Sequence, residues 1–224
     1  ATPSSEEIKA ITSDSKLVET YRGRLTSISW FNRCLNENIA RRANKEDKCK
    51  GRFWEGRFRC QRVIDVAGIL ACSAYIDLNP IRAGMAKDLE SSDHTSIQDR
   101  IHKANKVTPK RCQHWPRVPL VSIPEASKNT VTLKEYLTLV EETGKQVRDG
   151  KKSIPVNVVP ILKRLKINED SWVDATQNFR YHFKRVVGPK EELEKAAKKA
   201  NKNWFQGLRA ASRIFGGSSE VLVT

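Results

Sequence analysis

Apolar residues recur at spacings of three or four through residues 16–44, at Leu17, Tyr21, Leu25, Ile28, Phe31, Leu35 and Ile39. Residues so spaced share one face of an α-helix, and the pattern predicts a single long helix there. The opposite face carries Arg22, Arg24, Arg33, Asn36 and Arg41, which reads first as a solvated surface and second as a surface touching DNA. Upstream, Ser4 and Glu7 have the spacing of a capping box opening a short helix. Over residues 48–64 the period changes to two. Phe58, Cys60 and Arg62 alternate with Arg57, Arg59 and Gln61, and Gly51 and Gly56 punctuate the run, which predicts a strand or hairpin. Asp65 then caps a second helix over residues 66–78. Pro80 lacks a backbone donor and disfavours helix at the residue before it, so the pattern ends that helix near Asn79 and makes Pro80 to Gly84 a turn.

Residues 103–130 mix Pro, Ser, Lys and Arg with little periodicity and read as a linker or extended arm. The chain thus divides into 1–102, 103–130 and 131–224. Beyond the linker, Thr132 and Glu135 make a second capping box ahead of Leu133, Tyr136, Leu137 and Val140. Further helices fit residues 157–166, 171–187, 190–201 and 204–215, with Gly188-Pro189 as a stop between two of them. The last pair could be a helix-turn-helix whose second helix enters a major groove. Leu193, Ala196, Trp204, Leu208 and Ile214 fit a plain helical hairpin as well, and the hairpin is preferred. The fold class predicted is mainly α with a small β component.

Composition narrows the partner. With 224 residues the chain is long enough for one or two domains with cores of their own, so no metal or disulfide staple is needed. Lys and Arg number 41 against 26 Asp and Glu, a net charge of +15. That excess favours a polyanion, nucleic acid before a membrane surface. No apolar run approaches the roughly 20 residues that span a bilayer, and the cations do not line one face of a Trp/Leu-rich helix. Cys34, Cys49, Cys60, Cys72 and Cys112 are odd in number and form no CxxC, and no signal peptide is evident. This fits a reducing, cytoplasmic setting. The sole methionine is Met85 and none stands at the start, which suggests a fragment with its natural N-terminus upstream.

Two segments carry candidate chemistry. Lys48, Lys50, Arg52, Arg57, Arg59 and Arg62 face a single acid, Glu55, with Phe53, Trp54 and Phe58 among them. Cations hold phosphates and exposed aromatic faces stack unpaired bases, so the mix suits single-stranded nucleic acid. Aromatics buried in a core beneath solvated cations would give the same composition. On the next helix Tyr75 and Asn79 lie four apart, one turn from each other. A tyrosine can attack a phosphodiester if a cation offsets the phosphate charge, and an asparagine carbonyl oxygen suits Mg²⁺. A buried aromatic and a helix-ending residue would look alike.

The segment GRFWEGRFRCQRVIDVAGILACSAYIDLNPIRAGMA resembles REP-associated tyrosine transposases, HUH-type single-strand DNA transposases in which a GRFWxGRF strand leads to the nucleophile helix and a YxxLNPxRAG end. SISWFNRCLNENIARRANKEDKC before it and SDHTSIQDRI after it resemble a longer variant of that family, and the likeness continues more loosely through EYLTLVEETGKQVRDGKK. The resemblance implies a remnant of a ferredoxin-like α/β transposase core, followed by a helical C-terminal domain. It implies Tyr75 as the nucleophile forming a 5′-phosphotyrosine link, Asn79 as a ligand of Mg²⁺ or Mn²⁺ beside two histidines of an HUH strand, and Arg82 as a phosphate contact. The partner implied is single-stranded or hairpin DNA, and a homodimer is a further expectation.

The chain departs from that family in its histidines. His94, His102, His114 and His182 include no HxH pair and all follow Tyr75, so the metal site implied is incomplete and activity is expected only with an upstream HUH segment. A non-catalytic nucleic-acid-binding module, or a decayed fragment, is the alternative. Cys112 with His114 supplies two metal donors without a second pair, a weak pattern.

Overall fold

The computed structural model describes residues 3–105, 131–151 and 153–216. They belong to two compact units, residues 1–60 and 61–224.

The first unit holds α1 (Ser5–Ser13), α2 (Ser15–Leu25) and α3 (Ile28–Glu46). The capping box opens α1 as read: the Glu7 amide donates to Ser4 Oγ at 3.2 Å and the Ser4 amide to Glu7 Oε2 at 2.7 Å. The single helix expected over residues 16–44 is two helices instead. Ser27 takes an extended backbone conformation and its hydroxyl accepts the Trp30 amide, so a side chain that caps well restarts the helix there. No described residue of this unit is buried, and along the apolar stripe Leu25 is 86% and Phe31 65% exposed. The 3.6-residue period is present, but no core covers it.

The second unit holds β1 (Arg62–Val63), α4 (Val66–Asp77), α5 (Asn79–Arg82), α6 (Ser96–Ala104), α7 (Leu133–Arg148), a 3-10 turn (Val156–Val158), α8 (Val159–Arg164), α9 (Glu169–Gln177), α10 (Phe179–His182), β2 (Val186–Val187), α11 (Lys190–Lys199) and α12 (Leu208–Ile214). Helix α9 sits at its centre, packed against α4, α7, α8, α10 and α12. Trp172, Val173 and Ala175 of α9 enter one core with Leu70, Ala71 and Ala74 of α4 and Leu139 and Val140 of α7. The mainly α class therefore holds. The boundary expected within 103–130 lies outside the described residues from 106 on, while Lys103 and Ala104 belong to α6. Helices α4 and α5, read with the first part of the chain, pack against α9 and α7 respectively.

Three local expectations are corrected. Of the strand or hairpin over 48–64, only Arg62–Val63 is a strand, and it pairs in parallel with Val186–Val187. A parallel partner must come from far along the chain. Residues 48–60 are exposed throughout, and their alternation has no apolar face to bury. Pro80 does not make a turn but stands in the first turn of α5, where its missing amide costs no hydrogen bond. The helix expected over 171–187 ends at Gln177, and after the short α10 the β-branched Val186 and Val187 form β2. The two other capping predictions hold as well: Asp65 accepts the Gly68 amide at 2.8 Å, and Thr132 accepts the Glu135 amide at 3.2 Å.

Asp77 ties three helices together. Its buried carboxylate accepts the Tyr136 hydroxyl of α7 and, at 3.2 Å, the Ser96 hydroxyl of α6. Burial pushes Asp77 above the ordinary carboxylate value, against the pull of those two hydrogen bonds and of the Arg100 charge. Burial and the facing carboxylate push the Tyr136 phenol far up, so it stays protonated and donates. A folded-state value raised above the unfolded one means that the folded state holds the extra proton. The stability contributed is then full below the ordinary value of about 4 and is lost as pH rises through the raised one. The stability of the wild type relative to Asp77→Asn, which cannot ionise, is therefore expected to fall between about pH 4 and neutrality in urea unfolding. A flat or rising difference would contradict this account of Asp77.

Candidate functional site

Tyr75 lies on the last turn of α4, and Asn79 and Arg82 follow on α5. Arg82 meets both of the others. The Tyr75 ring is half-buried, stacked on Phe179 of α10 with ring centroids 5.4 Å apart and planes 27° apart. The Arg82 guanidinium lies over the same ring, 4.4 Å from its centroid. No described residue hydrogen-bonds the Tyr75 hydroxyl. A half-buried tyrosine with a cation over its ring is an arrangement that can meet a phosphodiester.

Arg82 is already engaged. It donates to the Gln177 carbonyl at 2.8 Å, which closes the C-terminal end of α9, and to Asn79 Oδ1 at 2.6 Å. The first bond fixes α5 against α9. The second occupies the oxygen through which Asn79 would bind a metal. A guanidinium on that oxygen repels a divalent cation, so Asn79 does not fit a metal site in this arrangement. Among the described residues no group of three or more His, Cys, Asp and Glu could hold a metal ion. His94 stands in a left-handed turn, His102 on α6 and His182 against Asp174 at 2.9 Å, while Cys112 and His114 lie outside the described residues. Burial pushes the Cys72 thiol up, which keeps it protonated and a poor nucleophile.

A cavity of about 630 Å³ opens beside the site, between Ile81, Arg82, Gly84 and Lys87 on one side and Val147 and Arg148 of α7 on the other. Among the described residues Arg148 pairs with Asp149 at 3.9 Å and its charge also acts on Asp88. Lys87, Arg148 and Phe179 were beyond sequence reasoning. Each comes from a different segment, and no spacing links them to Tyr75.

The basic segment lies in both units. Lys48, Lys50, Arg52, Arg57 and Arg59 are exposed residues of the first, and Arg62 is an exposed residue of β1 in the second. Phe53 and Trp54 meet edge to face at 4.8 Å, and the Trp54 indole donates to the Asn36 carbonyl at 2.9 Å. Phe53, Trp54 and Phe58 are each about two-fifths exposed, at 41%, 40% and 38%, so the ring faces are not sealed in a core. On the helices before them, Arg24 and Arg33 lie over Trp30, and Arg41 pairs with Glu37 at 2.6 Å.

No protein-family model, no curated protein and no solved structure matches the chain. No described helix is long and apolar enough to cross a membrane.

Proposed function

We propose that the chain is the tyrosine-bearing part of a single-strand DNA transposase, cutting DNA through Tyr75. The observation that carries the reading is the half-buried Tyr75 ring with the Arg82 guanidinium 4.4 Å over it, on a motif-bearing helix beside a cation-lined cavity. The Tyr75 oxygen bonds to phosphorus while the bond from phosphorus to the 3′-oxygen breaks. The phenolic proton leaves to solvent, the 3′-oxygen takes one up, and a 5′-phosphotyrosine remains. Arg82 and its neighbouring cations offset the phosphate charge. The described residues do not build a divalent-cation site, so no step is assigned to a metal. A ferredoxin-like core, the histidines of an HUH strand, Mg²⁺ or Mn²⁺ bound with them, and pairing into a homodimer belong to the proposal for the longer protein.

The test is a covalent adduct. The chain, alone and joined to an HxH-bearing segment encoded upstream, is incubated with Mg²⁺ or Mn²⁺ and a labelled single-stranded hairpin, then run on a denaturing gel. An adduct is expected for the joined protein. Its absence, with the hairpin still bound, overturns the reading.

A second reading is a binding module without catalysis. It is favoured by one observation, that Arg82 is spent on the Gln177 carbonyl and on Asn79. It predicts that the chain binds single strands by counterion release. Replacing Arg52, Arg57 and Arg59 with Gln is then expected to flatten the slope of log affinity against log salt by about two. An unchanged slope would remove that segment from the interface.

A further inference from the structure

The loop between α11 and α12 carries an aromatic residue that the sequence reading placed elsewhere. Trp204, expected in the apolar stripe of a helical hairpin, precedes α12 and is 65% exposed. Across from it Tyr181 of α10 is also 65% exposed, with the Arg180 guanidinium 5.1 Å over its ring. Between them lies a cavity of about 660 Å³, lined by both rings and by His182, Arg209 and Arg213. A second, of about 200 Å³, adjoins it along the shared wall Trp204, Phe205 and Gln206, and is lined by Lys184, Arg185 and Lys202.

The walls are held in place. Gly207 has φ +116°, and a Cβ there would come within 2.8 Å of the Phe183 ring and 2.9 Å of the His182 carbonyl. Only glycine lets the Trp204 loop lie this close to the segment bearing Tyr181, Lys184 and Arg185. Phe205 anchors the loop against the core.

The charge is one-sided. Among the described residues no Asp or Glu lines either cavity. A neighbouring carboxylate, Asp174, is already bonded to Asn178, to His182 at 2.9 Å and to Arg213 at 2.5 Å. Burial alone would push Asp174 up, yet those partners hold it below the ordinary carboxylate value, so it stays ionised and neutralised. No described carboxylate forms a salt bridge with Arg180, Lys184, Arg185, Lys202 or Arg209. Two exposed rings, with Arg209 beside both and Lys184, Arg185 and Lys202 on the far side of Trp204, match a phosphodiester chain with unstacked bases. An acidic peptide would use the cations and leave the rings idle.

We propose that this groove, lined by Tyr181, Lys184, Arg185, Lys202, Trp204 and Arg209, binds a single-stranded nucleic acid, with a base on the Trp204 face and phosphates on the cations. The groove is independent of any chemistry at Tyr75, and its test reads binding rather than cleavage. Fluorescence anisotropy of labelled oligo-dT and oligo-U with the full chain distinguishes DNA from RNA as the source of the strand. Loss of one stacked base is expected to weaken binding about five- to 150-fold in Trp204→Ala, with Trp204→Phe restoring most of it. Lys202→Gln with Arg209→Gln is expected to weaken it further and to lower the salt slope. Trp204 is exposed, so thermal melts of these variants should match the wild type and exclude misfolding. Photocrosslinking of bromodeoxyuridine-substituted oligo-dT should map to Trp204 or Tyr181. Unchanged affinity in Trp204→Ala, crosslinks confined to residues 48–62, or equal loss of binding to polyglutamate would each overturn the proposal.

Discussion

Trp172→Ala is expected to destabilise the second unit by about 3–5 kcal/mol, the range for deleting a large buried aromatic. For a body of this size that shifts the thermal midpoint by on the order of 10 °C. The indole is fully buried at the centre of α9, the helix against which α4, α7, α8, α10 and α12 all pack, so no single neighbour can close the space it leaves. Its Nε1–H donates to Thr143 Oγ1 at 2.8 Å, and the Thr143 hydroxyl donates in turn to the Leu139 carbonyl at 2.6 Å. Trp172→Phe separates the two contributions. It keeps most of the volume and loses the indole donor, and should cost much less than the alanine change. A chemical unfolding curve decides the matter. A loss under about 1 kcal/mol for Trp172→Ala would mean that α9 is not the keystone its packing implies.

The elements legible in the sequence are those whose determinants are local. Ser4 with Glu7, Asp65, and Thr132 with Glu135 each cap the helix they precede, because a capping side chain bonds an amide two or three residues on and needs nothing distant. Ser27 obeys the same rule and went unread, since the apolar period runs straight through the break. β2 was illegible for the opposite reason. Val186 and Val187 sit in a run that looks helical, and what makes them a strand is a parallel partner at Arg62 and Val63, over a hundred residues away. Trp204 was misplaced because an aromatic at helical spacing reads as core, while the helix itself begins four residues later.

The candidate site divides along the same line. Tyr75, Asn79 and Arg82 lie within eight residues; helix spacing relates Tyr75 to Asn79, while Arg82 reads as part of a turn and was reached only through the motif. What surrounds them follows from neither. Phe179 beneath the ring, the Gln177 carbonyl that holds Arg82, and Lys87 with Arg148 in the adjoining cavity come from four other segments. Asp77, two residues from Tyr75, points into the core towards Tyr136, and in the sequence it is one more polar residue on an apolar helix. Motif spacing therefore locates a reactive residue but says little about what its neighbours are already bonded to. In this molecule that decides whether Asn79 and Arg82 are available to a substrate.

Tyr75→Phe is expected to abolish the covalent adduct completely while leaving the unit folded, because it removes one oxygen and nothing else. Phenylalanine keeps the ring stacked on Phe179 and beneath the Arg82 guanidinium, so both ring contacts survive. No hydrogen bond to a described residue is lost with the hydroxyl, and the melting temperature should move by no more than a degree or two. Tyr75→Ala is the informative comparison. It deletes the ring as well, leaves Phe179 and Arg82 without their shared partner, and should lower stability by several kcal/mol if the aromatic is structural. The pair distinguishes a nucleophile from a packing residue. A nucleophile loses all adduct in both variants and stability only in the second. A packing residue leaves the adduct yield of Tyr75→Phe unchanged, and an adduct that persists in that variant would have to be formed by another side chain.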